Sequence, residues 1–322
     1  MPLHDLGYRH WEGELNPQSV RWWVIAQTGV RLAWRSRWLR RMLVLAWMPA
    51  VLAGIVFFAV ENVLTTNPDL SLGIRRASSQ WPFLEGVSDE LEKDPASARA
   101  ALWSHILLGF FRLPQGVLIV MLVALIAPPL IAQDLRSRAF LLYFSRPITR
   151  LEYVFGKMAT VAAYLTMVTI VPGLVLYALG VGLSPNLSVV VDTWDLPFRV
   201  VASSLIVIIP TVTFALAMSA LLGETRFATF CWFGPWVLGF FAFTAMTAMS
   251  DSAQFERGEN PWTMSNKWSF LSPYHSLGEV ESWIFGIQKD FNQVAPEAFM
   301  LSTVTLISLA ILLRRVDAPM RV

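Results

Sequence analysis

Six long apolar segments divide this sequence and limit how the chain can fold. They cover residues 42–60, 116–133, 158–183, 200–222, 228–249 and 298–313. A helix of roughly 20 apolar residues crosses about 30 Å of hydrocarbon, and backbone groups in lipid must bond within their own segment. The second and sixth segments are short, and we expect them to extend outward from Leu102 and Gln293. The pattern predicts an all-α integral membrane protein with six spans, numbered 1 to 6 below.

Composition agrees with this class of protein. The chain is 55% hydrophobic, and 15% of its 322 residues are charged, against about 25% in ordinary soluble domains. The alternation of polar and apolar residues that is typical of membrane barrel strands is absent. These features exclude most soluble enzymes.

The basic residues lie mostly on one side of the spans, which predicts the orientation of the chain. The two terminal segments and the loops after spans 2 and 4 together contain sixteen Lys and Arg residues and seven acidic residues. The other side carries nine basic and sixteen acidic residues. Because cytoplasmic segments carry the excess of Lys and Arg, we expect both termini in the cytoplasm. The expected location is the cytoplasmic (inner) cell membrane, crossed several times.

The spans divide the chain into three predicted parts. Residues 1–41 form a cytoplasmic N-terminal segment, residues 42–313 form the transmembrane domain, and residues 314–322 form a cytoplasmic tail. Within the transmembrane domain, residues 61–104 and 250–297 are external loops. Each is too short for a domain with its own core.

Each external loop is predicted to contain helix. In the first, we expect a helix that starts at Ala96, runs through Trp103 and Phe111 along the membrane surface, and bends near Pro114. In the second, the apolar stretch Ser276–Ile287 is too short for another crossing. A segment of this length is typical of a re-entrant or interfacial element.

An amphipathic helix is predicted ahead of span 1, where Asn16 and Pro17 form a helix-start signal. Tryptophans recur on one face and arginines cover the rest. The residues are Trp23, Trp34, Trp38, Arg31 and Arg35. Tryptophan at headgroup depth with arginine near anionic lipid indicates a helix lying flat on the cytoplasmic leaflet. The alternative is a plain anchor that flanks span 1.

Motifs of nucleotide, metal and nucleophile chemistry are missing. The one Gly-Lys pair, Gly156-Lys157, has Met158 after it and Leu151 where a phosphate loop requires glycine. No histidine pair has metal-binding spacing, and Cys231, the only cysteine, lies in span 5. We therefore expect no metal site, no cofactor bound by this chain and no nucleic-acid partner. No G-x-S-x-G turn marks a nucleophile.

Ionisable residues are missing from the middles of the predicted spans. Glu61 lies at the outer end of span 1, and Lys157 lies at the inner end of span 3. Since intramembrane charges usually mark ion pathways or proton relays, this pattern argues against an ion-coupled carrier. It also argues against a hydrolase embedded in the membrane.

The cytoplasmic loop between spans 2 and 3, residues 134–157, is the most specific segment. Residues 134–144 are predicted to form a short helix that starts at Asp134, where the helix dipole favours negative charge. Ser145-Arg146-Pro147 ends this helix, and Thr149 caps the helix that enters span 3. Phe140, Tyr143 and Phe144 form apolar knobs among arginines. Such a helix can bind a cytoplasmic partner.

This loop resembles that of the type-2 ATP-binding-cassette (ABC) transporter permeases. The family has an acidic residue that opens a short coupling helix, then Ser-x-Pro-x-x-Arg, then Gly-Lys at the head of span 3. The matching positions are Asp134, Ser145, Pro147, Arg150, Gly156 and Lys157. The sequence match covers residues 133–157. The topology, with Ser272-Pro273-Tyr274 in the last loop, is similar over most of the chain.

The resemblance implies a subunit that works with a separate ABC ATPase. Two ATPase copies would bind ATP and Mg²⁺ and act on two permease copies, the second being identical or a paralogue. It also implies a row of ATPase-contact residues on the coupling helix. These are Asp134, Arg136, Arg138, Phe140, Tyr143 and Arg146. For the arginines, the alternative is a role in topology and lipid contact. Membrane lipid is a further partner, and the long external loops leave open whether an extracytoplasmic partner docks there.

The leading hypothesis is therefore a non-enzymatic ABC permease subunit that exports a cargo or transduces mechanical force. A second hypothesis is a membrane scaffold or assembly factor without transport. A third is a lipid-modifying membrane enzyme, for which no residues are evident. The sequence does not distinguish lipid, peptide, polysaccharide and small-drug cargoes.

Overall fold

The computed structural model describes residues 20–66, 95–137, 148–184, 188–255 and 268–317. Within these ranges the chain is all-helical, with no strand. The α-helices are α1 (Arg21–Trp34), α2 (Arg37–Ala46), α3 (Met48–Thr66), α4 (Pro95–Pro114), α5 (Val120–Arg136), α6 (Arg150–Val168), α7 (Ile170–Leu183), α8 (Val189–Asp192), α9 (Leu196–Leu222), α10 (Thr225–Phe255), α11 (Pro273–Ile284) and α12 (Phe291–Asp317). A π-helical turn, Gln115–Ile119, joins α4 to α5.

Six helical segments of the described part are long and apolar enough to cross a membrane, which confirms the predicted number of spans. Spans 1 to 6 cover Arg37–Glu61, Arg99–Arg136, Arg150–Leu183, Leu196–Leu222, Thr225–Met249 and Phe291–Val316. Spans 2 and 6 extend beyond their apolar cores toward their N-terminal ends, as their short apolar runs predicted. The added turns pack against other helices of the bundle.

Span 4 forms the centre of the bundle. The single helix α9 packs against spans 2, 3, 5 and 6 and against α11. Leu216 and Val212 of span 4 belong to one buried cluster with Ile126 of span 2 and Leu165 of span 3. Span 4 is 56% buried, whereas spans 5 and 6 are 17% and 22% buried and present most of their surface outward.

The predicted N-terminal amphipathic helix consists of two helices. α1 ends at Trp34, and α2 begins after Ser36, whose hydroxyl accepts the backbone N–H of Leu39 at 3.4 Å. This N-cap favours a new helix start. Trp38 therefore belongs to the start of span 1, and the prediction that it shares one continuous helix with Trp23 is wrong. The predicted start signal at residues 16 and 17 lies outside the described residues.

The N-terminal half of span 2 lies inside the bundle, so the prediction of a helix along the membrane surface is wrong. Trp103 and Phe111 of α4 are fully buried, in a cluster with Phe57 of span 1 and Val200 of span 4. Trp103 Nε1 also donates to a carboxylate oxygen of Glu61 at 2.9 Å. The aromatic face of α4 is thus part of a core that other spans complete. A π-helical turn, Gln115–Ile119, directly follows Pro114, where a bend was predicted.

Between spans 5 and 6, a short helix forms as expected, displaced toward the N-terminus. α11 covers 12 residues, Pro273–Ile284. Its Leu277 and Val280 pack with Val294 and Leu301 of α12. Pro273 occupies the first turn, where a missing N–H costs no helical bond. The membrane depth of α11 stays a prediction.

Candidate functional site

An ion pair closes the base of the loop between spans 2 and 3. Asp134 lies in the last turn of α5, and its Oδ2 accepts a hydrogen bond from the Tyr153 hydroxyl at 2.7 Å. The same oxygen lies 2.7 Å from Nζ of Lys157. Tyr153 and Lys157 are four residues apart on α6, so both side chains reach span 2 from one helical face.

Lys157 makes a second bond to span 2. Its Nζ donates to the backbone oxygen of Leu130 at 2.8 Å, and it lies 5.4 Å from the centroid of the Tyr153 ring. The Lys157 and Asp134 side chains are only 10% and 16% exposed. A charge in such a position is stable only with a partner. The contacts of Lys157 therefore fix spans 2 and 3 to each other where the loop begins and ends.

The far end of the loop begins with the predicted cap. The backbone N–H of Thr149 donates to Glu152 at 2.7 Å, and the N–H of Glu152 donates to the Thr149 hydroxyl at 3.3 Å. This reciprocal capping box starts α6 at Arg150. It confirms that Thr149 caps the helix that enters span 3.

Gly156 allows α1 to lie directly against span 3. A Cβ at this position would be 2.7 Å from Cβ of Ile25 and 2.9 Å from the backbone oxygen of Trp22. Eight residues further along span 3, the Tyr164 hydroxyl donates to the backbone oxygen of Val30 at 2.7 Å. The contacts advance together along both helices, so α1 runs parallel to the first half of span 3. Helix α6 therefore contacts α1 through Gly156 and Tyr164, and it also carries Lys157, which pairs with Asp134 of span 2.

A double proline precedes Asp134 by less than two turns, and span 4 supports it. Pro128 and Pro129 interrupt the backbone bonding of α5. Ser219 Oγ donates to the backbone oxygen of Pro128 at 2.6 Å and accepts the N–H of Ala132 at 3.0 Å. One hydroxyl therefore satisfies backbone groups of span 2 at the position where it bends.

The structure corrects the predicted role of Asp134. Helix α5 continues through Asp134 and ends at Arg136, so Asp134 lies at a helix C-terminus and not at the start of a coupling helix. Because the dipole disfavours negative charge there, Lys157 and Tyr153 supply the compensation. Tyr153, which bonds to Asp134, was not among the predicted site residues. Its position four residues before Lys157, on the same face of the helix, is the signal that could have identified it.

The remaining predicted residues divide into three groups. Arg136 and Arg150 are at the described ends of the loop. Trp23, Trp34, Arg31 and Arg35 lie on α1 or directly after it, with much of their surface exposed, and the Trp34 ring also stacks on Tyr164. The others fall outside the described residues: Arg138, Phe140, Tyr143, Ser145, Arg146 and Pro147.

A group of charged residues lies at the opposite end of the bundle, inside the longer spans 2 and 6. Arg112 donates to the backbone oxygen of Tyr274 at 2.7 Å and lies 4.0 Å from its ring centroid. Glu297 is buried and accepts a hydrogen bond from Ser269. Both residues belong to the N-terminal extensions of spans 2 and 6 and lie outside the apolar cores, whose middles were predicted to carry no charge.

Comparison with known proteins gives one family. The family model described as ABC-2 family transporter protein matches residues 84–315. The match includes spans 2 to 6 and the whole loop between spans 2 and 3. No curated protein matches the sequence.

Proposed function

The chain belongs to the ABC-2 family of transporter proteins and is a membrane permease subunit of an ABC transporter; from this we propose that it couples ATP hydrolysis by a separate ATPase to export or mechanical transduction. In this proposal the ATPase binds ATP and Mg²⁺. The permease chain is not itself an enzyme, and it supplies the path and the moving spans.

The observation that carries this proposal is the closed base of the loop at residues 138–147. Asp134, Tyr153 and Lys157 fasten one end of the loop to the other, and Leu130 accepts a further bond. A force applied to a loop with fixed ends moves both helices that carry it. Spans 2 and 3 would then move together as rigid bodies, which is the usual form of such transitions.

The proposed ATPase contact lies on that loop, with Arg136 at its described edge. Phe140 and Tyr143 would insert as apolar anchors, and Arg138 and Arg146 would contact acidic groups around them. Aromatic and arginine side chains are enriched among residues that dominate interface energy. The loop follows the last described turn of α5 directly.

We further propose that two permease chains, identical or paralogous, form the path with two ATPases beneath them. The location that fits the charge distribution is the cytoplasmic membrane, with the loop between spans 2 and 3 in the cytoplasm. The multi-pass character supports this arrangement, since a path needs helices from more than one span.

The test is co-purification of the ATPase with a Phe140→Ala/Tyr143→Ala double variant. We expect the ATPase yield to fall about tenfold or more, because two interface anchors are lost. Phe299→Ala, which removes an exposed ring from span 6, should leave the yield unchanged. A double variant that retains the full amount of ATPase would show that the contact lies elsewhere.

A scaffold without transport is the second candidate, and its prediction differs. A scaffold would leave the ATPase rate unchanged when bound. A coupled permease in nanodiscs should change that rate, and disruption of the Asp134–Lys157 pair should alter the change without releasing the ATPase. Function of the purified chain without nucleotide would contradict the proposal.

A further inference from the structure

Helix α11 bridges spans 2 and 6 at the end of the bundle opposite the loop between spans 2 and 3. It packs against α4, the N-terminal part of span 2, and against α12, which forms span 6. On the span 6 side the contact is apolar, with Leu277 and Val280 in one buried cluster with Val294. The Ser269 hydroxyl, shortly before α11, donates to Glu297 of span 6. α11 is therefore joined closely to span 6.

On the other side, an arginine of span 2 holds the first turn of α11. Nη1 of Arg112 donates to the backbone oxygen of Tyr274 at 2.7 Å, and its guanidinium carbon lies 4.0 Å from the centroid of the Tyr274 ring. A charged donor makes a stronger hydrogen bond than a neutral one, and a cation over a tyrosine ring is attracted to it. Both interactions are directional, so they fix the position of α11 relative to span 2.

The surface of α11 is shaped to receive this arginine. Gly278 follows Tyr274 by one helical turn and is buried. A Cβ at Gly278 would overlap the guanidinium group of Arg112, so a larger residue would displace it. The π-helical turn of span 2 also approaches α11, since a Cβ at Gly116 would lie 3.6 Å from Cε2 of Tyr274. Arg112 thus occupies a recess that only glycine leaves open.

The charge of Arg112 also acts on ionisable groups of α11. Burial, together with this charge, lowers the pKa of His275 to about 4. Burial and the charge of Glu297 raise the pKa of Glu279, and Arg112 opposes that rise. Because His275 is uncharged at neutral pH, it does not replace Arg112 as a source of positive charge. Loss of Arg112 would therefore leave Glu279 without the compensation that this cation supplies.

Span 2 carries Arg112 near one end of the bundle and Asp134 near the other. The two residues are 22 positions apart in one helical segment, Arg99–Arg136, which corresponds to about 33 Å at 1.5 Å per residue. This length is close to the thickness of the hydrocarbon core, about 30 Å. An arginine within a membrane helix is costly and commonly marks a functional position. Span 2 therefore runs from the proposed ATPase contact to α11.

We propose that Arg112 is a positioning residue through which a displacement of span 2 reaches α11 and span 6. This inference rests on the proposed function, because the displacement begins at the loop between spans 2 and 3. When the loop moves span 2, Arg112 moves α11 with it, and α11 carries the N-terminal part of span 6. Spans 2 and 6 thereby change position together at the end opposite the loop.

The first test measures how firmly α11 is held, with the full chain in nanodiscs and no ATPase. Hydrogen exchange of the amides at residues 274–285 is followed by mass spectrometry. Arg112→Gln should accelerate this exchange about tenfold or more, because a charged hydrogen bond and a ring contact are lost. Arg99→Gln is the control, since Arg99 is on the same span but pairs with Glu61 of span 1. The control should leave exchange at 274–285 unchanged. Equal exchange in Arg112→Gln and the unmodified chain would overturn the proposal.

Gly278→Ala tests the same contact without removing the arginine. Alanine is the better helix former, so the substitution by itself favours α11, yet its methyl group displaces the guanidinium of Arg112. We expect exchange at 274–285 to become at least about fivefold faster. Slower exchange would overturn the proposal. This variant also decides the question if Arg112→Gln does not yield folded protein.

The second test adds the ATPase and compares exchange with and without ATP and Mg²⁺. In the unmodified chain we expect exchange to change about threefold or more both at residues 150–157, beside the loop, and at 274–285. Arg112→Gln should keep the change at 150–157 and lose it at 274–285, and Arg112→Lys, which retains the charge, should restore it. A merely structural role would leave the effect of ATP at 274–285 the same in all three chains and would overturn the proposal.

The same measurement separates this inference from the proposed function. If ATP changes exchange at 150–157 of the unmodified chain but not at 274–285, the loop responds to the ATPase and the role of Arg112 is wrong. If ATP changes exchange at neither segment, the proposed coupling to the ATPase is contradicted, and this inference with it.

Discussion

At the scale of single residues, the structure explains why glycine and lysine stand at two positions of the family motif, Gly156 and Lys157. The ammonium group of Lys157 is held within the protein, because it is bonded to Asp134 and to the backbone oxygen of Leu130. Gly156 is not a flexible hinge, because it lies within a helix that packs against α1. Both residues serve the junction between spans 2 and 3. A motif of two adjacent residues thus joins three helices.

Asp134→Asn should lower the free energy of unfolding by about 2–3 kcal/mol, between the values for exposed and for fully buried pairs. The reason is that Lys157 keeps its charge in a mostly buried position. The measurement is thermal or denaturant unfolding in detergent. Asp195→Asn is the control, because the Asp195–Arg199 pair is 36% and 33% exposed, and its loss should cost about 0.5 kcal/mol or less. Equal effects would contradict a structural role for the Asp134 pair.

Gly156→Ala should destabilise the chain by about 1–3 kcal/mol, because α1 must move away from span 3 to admit the methyl group. The same exchange at Gly182, in the same span, meets no atom within 4 Å. Gly182→Ala should be neutral or stabilising by up to about 1 kcal/mol, since alanine is the better helix former. Unfolding midpoints of the two variants give the comparison. Equal changes of the unfolding midpoint in the two variants would show that the packing of α1 on span 3 does not depend on Gly156.

At the scale of elements, helix ends were predicted well where a local cap exists. Thr149 and Glu152 form a capping box within four residues, and the structure contains it. The end of α5 was misplaced: the helix continues through Asp134, which bonds to Tyr153 and Lys157, 19 and 23 positions along the chain, and it ends at Arg136. The break between α1 and α2 has a local signal in Ser36, which could have been used.

Ser219→Ala tests how span 4 supports the kink of span 2. The change leaves the backbone oxygen of Pro128 without its bond, so we expect a loss of about 1–3 kcal/mol of stability. Ser302→Ala is the matched control, because Ser302 is exposed and bonds only to Ala298 of its own helix. Ser302→Ala should lower the free energy of unfolding by about 0.5 kcal/mol or less. Similar losses in both variants would show that the kink needs no support from span 4.

At the scale of the whole molecule, the bundle is asymmetric in burial. Span 4 is enclosed by its neighbours, whereas spans 5 and 6 expose most of their surface. A chain with these exposed apolar helices is suited to contacts with lipid and with a second copy. Asp134 pairs with Lys157 at one end of the bundle, and the carboxyl group of Glu297 is buried at the other.

The predicted orientation can be measured with cysteines introduced at two ends of the bundle. In a Cys231→Ser background, Lys289→Cys should react with an impermeant maleimide in intact cells, because position 289 belongs to a predicted external loop. Arg315→Cys should react only after permeabilisation, because position 315 is at the predicted cytoplasmic end of span 6. The opposite pattern would place the ATPase contact on the wrong side of the membrane and would exclude the proposed function.

The sequence by itself determined the six spans, their class and the cap at Thr149, because each depends on residues that are close together in the chain. Apolar length predicts a membrane helix without knowledge of its neighbours. The tertiary structure decided the partners of Asp134 and the burial of Trp103 and Phe111. These features join residues that are distant in sequence. An apolar face is equally compatible with lipid and with another helix, and only the packed structure distinguishes them.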